Sequence, residues 1–535
     1  MADAVQPCVS VLETLVGGAA LPPQADSQQS LLANILELLA CLCEGSELAV
    51  QRLSAGTVGS AALASASHVA VAPAAAPVER LAASKLLHIL AEDNPTVAAF
   101  MNGPAQSAPL LSLLQAAGAA PAADATQASL AAQCHLLGFA GHLGAFSSQV
   151  AGELIDALAA VCSTVFSALQ LLQGAEALRA SIEATTAAAQ QHATAVQHNR
   201  SAMAASASGA AAGTTSQDVE ELQDALHKAQ AETHRLRHSW SAKVQTAKLL
   251  SEVAANIAAG ASDTEATLDD STVAKLSSVA GAFHAAACEA LQQLPAVFTS
   301  SGDGASKALP SVARERILVL IACMVSALSN LEAAAGLSAQ QQGTWWSALL
   351  AATQVAAQQV PETQHALDVL LTAVGSSLAS CTARGTQVPL APAQLQLLTQ
   401  LAASMHAQTA GVLPSTLPTL VTILAQIAAL ADASSSPDMV RSLVQQLLQG
   451  ASSEQPAVAL AALDGLVDVF SADAEALNSI GKSMGVGKAM EGACARLQTL
   501  VQGAGAGVPE ELMDTAEEVL ENVAGLLQYK QGVIG

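Results

Sequence analysis

Gly481-Lys482-Ser483-Met484-Gly485 fits the G-x-S-x-G spacing that sets a nucleophilic serine on a sharp turn. That turn needs a strand before the serine, with an acid and a histidine to follow. The residues before Gly481 read as helix, and no histidine occurs after His406. Overlapping this stretch, Gly485-Val486-Gly487-Lys488 has the outline of a phosphate-cradling loop. The first glycine of such a loop would fall at Lys482, and Ala489 stands where Ser or Thr must hold magnesium. A glycine-rich connection between helices accounts better for both stretches, so no catalytic residue is assigned.

His234 and His238 are four residues apart, a spacing at which two imidazoles on one helix face can share a metal ion. His227 lies a further step back, and no acid fills the place of the base in H-E-x-x-H. An exposed polar helix is the expected setting, with neither metal nor cofactor. Trp345-Trp346 could anchor a partner. With only 3 Trp, 7 Phe and 1 Tyr in 535 residues, packing inside a core is the expected use. The 9 cysteines are scattered with no C-x-x-C pair, as expected of small buried hydrophobes in a reducing compartment, cytosol or nucleus. The carboxylates Asp218, Glu220, Glu221 and Asp224 cluster in a polar stretch. They read either as a solvated helix face or as the contact for a basic partner, and they are the candidate binding residues.

The elements that must position these residues are helices. Hydrophobic residues make up 52% of the chain and aromatics 2%, with alanine, the best helix former, supplying much of the apolar content. Leu32, Ile35, Leu36 and Leu39 form one helical stripe; Ala82, Leu86, Ile89 and Leu90 form another. Leu154, Leu158, Val161 and Val165, and late in the chain Leu512, Ala516, Val519, Leu520, Val523 and Leu527, continue the pattern. Breaks such as Glu44-Gly45-Ser46 and Asp93-Asn94-Pro95 separate the stripes, and helix pairs return about every 40 to 50 residues, the period of armadillo and HEAT arrays. The predicted fold is all-α, an armadillo/HEAT-repeat superhelical solenoid. Residues 1–183 are expected to be armadillo-like repeats, 184–238 a flexible insertion with a polar acidic helix, and 239–535 HEAT-like repeats. Within the insertion Gly209–Thr215 reads as linker, and smaller breaks are expected at 260–271 and 300–306.

The charge balance, 20 Lys and Arg against 44 Asp and Glu for a net −24, argues against direct nucleic-acid binding and allows a basic protein partner. The longest uniformly apolar run, Ile317–Val325, is too short to span a bilayer, so no membrane association is expected.

Several stretches in order along the chain resemble one family. Asn34–Glu44 is similar to a helix of the armadillo half of the symportins, and Leu86–Pro95 ends as their "TEDNP" helix does. Lys243–Leu250 resembles their "QQTALEI" helix, Ala462–Phe470 their "ALDALFDVF" helix, and Asn522–Lys530, ending Gln528-Tyr529-Lys530, their closing "NLRRFIQYK". The resemblance implies a non-enzymatic adaptor and chaperone that holds ribosomal proteins of the large subunit, in this family the pair that bind 5S RNA. It also implies support for their nuclear import and ribosome assembly, hence a place in cytoplasm and nucleus. The acidic cluster would then be a cargo contact by position. An importin would be a further partner, although the family's basic import-signal tail is not seen before the first repeat. The region 184–238 is less acidic than the family's insertion, and Ala524-Gly525 replace its paired arginines. The alternative is a helical-repeat scaffold for a non-ribosomal partner.

Overall fold

A computed structural model describes residues 4–17, 31–102, 107–119, 126–143, 148–206, 216–263, 269–298, 311–358, 364–383, 392–407, 416–431, 433, 436–503 and 510–535. These residues form helices and their connections, with no strand among them. They divide into two compact units, unit 1 being Met1–Gln293 with Thr299–Leu337 and unit 2 Leu294–Phe298 with Ser338–Gly535.

Unit 1 runs through α1 (Val5–Gly17), α2 (Leu31–Glu44), α3 (Glu47–Ser54), α4 (Gly56–Val71), α5 (Pro77–Ala91), α6 (Pro95–Met101), α7 (Ser107–Gly118), α8 (Gln127–His142), α9 (Ser148–Leu169), α10 (Leu171–Ser206), α11 (Ser216–Asp263), most of α12 (Asp270–Phe298) and α13 (Ser311–Ala335). The helices α2, α5, α8, α11 and α13 pack each on the next, while α1, α4, α7 and α9 form a second row. Short α3 and α6 complete three-helix repeats, α3-α4-α5 and α6-α7-α8, in the armadillo manner. The short helices start where the sequence supplies caps. Ser46 Oγ accepts from Ala49 N at 3.4 Å, and Asn94 Oδ1 accepts from Val97 N at 3.3 Å with Pro95 opening α6.

Polar bonds tie each repeat to the next. Lys85 Nζ on α5 donates to Glu37 Oε1 on α2 at 3.0 Å, 48 residues away, and His88 Nδ1 lies 3.0 Å from His135 Nδ1, 47 away. Asn94 Nδ2 donates to Ser54 Oγ at 2.6 Å, and Asn102 Nδ2 to the Leu143 carbonyl at 2.8 Å.

Unit 2 contains α14 (Ala339–Gln358), α15 (Gln364–Ala383), α16 (Pro392–Ala407), α17 (Thr416–Leu430), α18 (Pro437–Ala451), α19 (Pro456–Ser471), α20 (Glu475–Met484), α21 (Val486–Gly503) and α22 (Glu510–Tyr529). Here α15, α17, α19 and α22 pack in sequence, with α16, α18 and α21 against them. The helices approach closely because their facing residues are small: a Cβ at Gly465 on α19 would collide with Ala425 on α17. Trp345 and Trp346 are each 1% exposed, and Trp345 Nε1 donates to Ser377 Oγ at 3.0 Å, so both are core residues. The closing Tyr529-Lys530 is a latch. The buried Lys530 ammonium donates to Asp473 Oδ1 (2.6 Å), Asn478 Oδ1 (3.3 Å) and the Ala472 carbonyl (3.1 Å), while Tyr529 Oη donates to Asp473 Oδ2 (2.6 Å). Lys530 first, then Tyr529, holds the Asp473 carboxyl below its usual range.

In the region 184–238 the expected polar acidic helix is present, and the residues before it are helical as well. Residues up to Ser206 continue α10, and the acidic stretch is the first half of the 48-residue α11, which runs unbroken past residue 239. Alanine-rich sequence favours helix over linker. Side-chain bonds between α10 and α11 replace the missing large apolar contacts: Ser181 Oγ and Thr185 Oγ1 lie 2.7 and 2.8 Å from Thr233 Oγ1, and Thr185 Oγ1 donates to the Ala229 carbonyl at 3.1 Å. Of the break expected at 260–271, residues 260–263 end α11 and 270–271 open α12, while 264–268 lie outside the described residues, as do the linker Gly209–Thr215 and the break 300–306. The division between compact units falls at Leu337/Ser338.

Among the described residues two helical stretches, Val150–Ser201 and Val312–Ala335, are long and apolar enough to cross a membrane by length and composition. In the second, Ile317, Leu320, Ile321, Met324, Leu328 and Leu331 are buried inside unit 1. That α13 is longer than the run Ile317–Val325 follows from the polar residues, such as Ser326 and Ser329, that its helix absorbs.

Candidate functional site

The motifs with the most chemical promise are structural. Gly481–Met484 lies in α20, where Ser483 Oγ donates to the Ile480 carbonyl at 2.8 Å, and Gly485 (φ +65°) ends that helix. No strand precedes the serine. The amides that would cradle a phosphate are already used: Gly487 N donates to the Ile534 carbonyl at 3.2 Å and Lys488 N to Gly535 O at 3.0 Å.

The acidic cluster is on the outer side of a helix. Glu220, Glu221 and Asp224 are exposed on α11, and Asp218 lies on the same helix with its side chain outside the described part.

A cleft of about 820 Å³ lies between consecutive repeats of unit 1, where the α2–α3 turn faces the α5–α6 turn. Glu44, Glu47, Glu92 and Asp93 line it with exposed carboxylates, and no Lys, Arg or His is among its lining residues. Val50 and Ile89 give it an apolar floor. Two local choices raise its negative potential. Glu44 is the last residue of α2 and Glu92 caps the end of α5, so both carboxylates sit at helix C-termini, where the backbone dipole already points its negative end. Such placement costs each helix a few tenths of a kcal/mol or more. Asp93 holds φ +48°, which swings the chain from α5 into α6 and presents its carboxylate at the rim. Outside the cleft lining, Lys85 pairs with Glu37 at 3.0 Å and with the cleft residue Glu44 at 3.2 Å. Burial acts to lower its ammonium, but the bonds to Glu37 and Glu44 outweigh this and hold it above its usual range.

Asn94 positions the cleft, since it caps α6 with its oxygen and bonds Ser54 across the repeat boundary with its nitrogen. Asn94→Ala is therefore expected to destabilise unit 1 by about 1–2 kcal/mol in urea unfolding, while Asn94→Asp, which keeps the cap, loses less.

Three imidazoles meet between α5 and α8. His88 on α5 sits against His135 and His142 on α8, with ring centroids 5.3 Å apart in both pairs. Gly138 makes room, since a Cβ there would strike the His88 ring. Burial, then the charges of His135 and His142, pushes His88 down to about 3; burial, then Lys85, pushes His135 down to about 4. The His88 and His135 rings are packing elements rather than acids or bases for chemistry near neutral pH.

Unit 2 has its own acidic patch. Asp464 and Asp468, one turn apart on α19, lie near Glu518 on α22. Burial first, then Glu518 for Asp464 and Asp464 for Asp468, raises both carboxyls above their usual range. A groove of about 460 Å³ between α14 and α16 is instead neutral, with Gln354, Gln394, Gln396 and Gln400 around Leu350 and Leu397.

The four cleft carboxylates were not singled out from the sequence, although their turns were visible. Glu44-Gly45-Ser46-Glu47 and Glu92-Asp93-Asn94-Pro95 each place acids beside a helix cap, and superimposing the two at the repeat period would have put them side by side.

Residues 240–534 match the family model described as SYO1-like, TPR repeats, SYO1 being the yeast symportin. No curated protein matches the chain. Among solved structures, an engineered protein is similar at 13% identity and TM-score 0.35, over 97% of this chain and 99% of its own. Kap121p bound to Ste12p is similar at 11% identity and TM-score 0.28, over 100% of this chain and 52% of its own. Importin beta in an ammonium sulfate condition is similar at 10% identity and TM-score 0.30, over 98% and 61%. The chain thus spans 52% and 61% of the last two chains' length.

Proposed function

This chain belongs to the SYO1-like family, whose model covers more than half of it, and from that premise we propose that it is a non-enzymatic adaptor for basic ribosomal proteins. The cargo is a large-subunit protein of the pair that associates with 5S RNA, held so that its positive charge is masked before assembly. The observation that carries this reading is the inter-repeat cleft, in which Glu44, Glu47, Glu92 and Asp93 face solvent with no base among the lining residues. A lysine or arginine entering it relieves the mutual repulsion of these carboxylates and the unfavourable helix-end placement of Glu44 and Glu92, and such complementarity speeds encounter and selects partners. The exposed acids of α11, Asp218, Glu220, Glu221 and Asp224, are a second contact for the same cargo. The adaptor works in cytoplasm and nucleus, with an importin as an additional partner.

Tagged chain retrieved from cells is expected to bring down large-subunit ribosomal proteins, and raising salt from about 0.1 to 0.5 M should release most of them, because exposed charge contacts are screened within about 4–10 Å at those strengths. Retrieval with none above background, or binding indifferent to salt, would overturn the proposal.

A second reading rests on the glutamine-lined groove of unit 2, whose amides suit a neutral partner. A scaffold working there would bind with little salt dependence, and substitutions in the unit 1 cleft would leave that binding intact.

A further inference from the structure

His234 and His238 face each other on α11, with Nε2 atoms 3.1 Å apart and ring centroids 4.3 Å apart. Both rings are exposed. Two nitrogens bound to one ion at about 2.05 Å lie about 2.9 Å apart at a right angle and about 3.3 Å apart at the tetrahedral angle. The observed separation falls between these values, the spacing that two nitrogens sharing one ion require.

The surroundings favour this geometry. Thr233, the residue before the pair, bonds Ser181 and Thr185 of α10, so the helix is held from its other side while the two rings stay in solvent. The adjacent Arg235 is committed to Glu232, with bonds of 2.6 and 2.8 Å, which offsets a cation that would otherwise repel an ion. Among the described residues no group of three or more His, Cys, Asp or Glu side chains could hold a metal together. An ion here would therefore keep its remaining positions open to water.

We propose that His234 and His238 form a solvent-facing two-imidazole chelate for a first-row transition ion of the zinc, nickel or copper type, the ions imidazole suits. The ion takes the place of the shared proton of an N–H···N bond between the rings, and its open positions can be filled by a donor group of a bound protein. The site is independent of the acidic cleft and of the cargo assigned to it.

Isothermal titration of the full chain with Zn²⁺ and with Ni²⁺ tests the assignment. The expected result is a saturable site whose affinity falls at least about tenfold, or about 1.4 kcal/mol, in His234→Ala and in His238→Ala. His227→Ala, on the same helix outside the pair, should leave it unchanged. Circular dichroism of each variant verifies that α11 is intact, as expected for exposed positions. Absence of saturable binding, or equal affinity in wild type and His238→Ala, would overturn the proposal.

Discussion

Reversing Glu47 and Glu92 together to lysine is expected to weaken the binding of a basic ribosomal protein about a hundredfold, from about tenfold for each charge contact turned repulsive. The fold should tolerate the change. Both side chains are exposed. At the end of α5 a lysine suits the helix dipole better than Glu92 does, which offsets the few tenths of a kcal/mol lost when Glu47 leaves the first turn of α3. A variant that loses cargo while keeping its unfolding midpoint would separate recognition from stability. The same reversal at exposed Glu491 on α21, remote in sequence and in the other unit, alters net charge equally per site and should change affinity less than threefold. Fluorescence anisotropy with labelled cargo measures both, and an unchanged affinity in the double variant would move the binding site elsewhere.

Mild acid is expected to unfold unit 1 through His88 and His135. Both have folded-state values depressed below the ordinary 6.5, to about 3 and about 4. The unfolded chain therefore takes up protons that the folded one refuses. The contribution of these groups is fully present above about pH 6.5 and is lost as pH falls from there toward their folded values. Each imidazole removes up to about 1.4 kcal/mol per pH unit in that window. Between pH 6.5 and 5, where most carboxylates are still ionised, the pair dominates the slope. Urea unfolding at closely spaced pH values should show the decline, and His88→Gln with His135→Gln should flatten it. A midpoint constant from pH 7 to 5 in the native protein would contradict the buried pairing.

The helical fold was legible because each repeat writes its buried face locally. Leu36 and Leu39, Leu86 and Leu90, Leu154 and Leu158, Val519 and Val523 are buried as their spacing required. The family resemblance was legible for the same reason, since the matched region from 240 to 534 takes in the stretches that resembled it late in the chain. The polar helix of the acidic stretch was legible from its charge pattern, but its pairing with α10 was not, because Ser181, Thr185 and Thr233 bond the two helices across about 50 residues of sequence. The cleft needed more than either signal. Its carboxylates come from turns one whole repeat apart, so only a register between repeats, such as Lys85 with Glu37 or Asn94 with Ser54, brings them together. Two stretches recognised by resemblance, Glu92-Asp93-Asn94 and the helix bearing Asp464 and Asp468, turn out to carry acidic surface as well as core residues.

The scarcity of aromatic residues has an optical consequence. Trp240 is the only tryptophan in unit 1, buried with Nε1 3.3 Å from the Leu171 carbonyl and its ring over Gly174, while Trp345 and Trp346 belong to unit 2. The chain thus carries a separate emission reporter in each unit. Replacing Trp345 and Trp346 by phenylalanine isolates the Trp240 signal, and the difference spectrum returns the other, so the melting of the two halves can be followed in one cuvette without any attached dye.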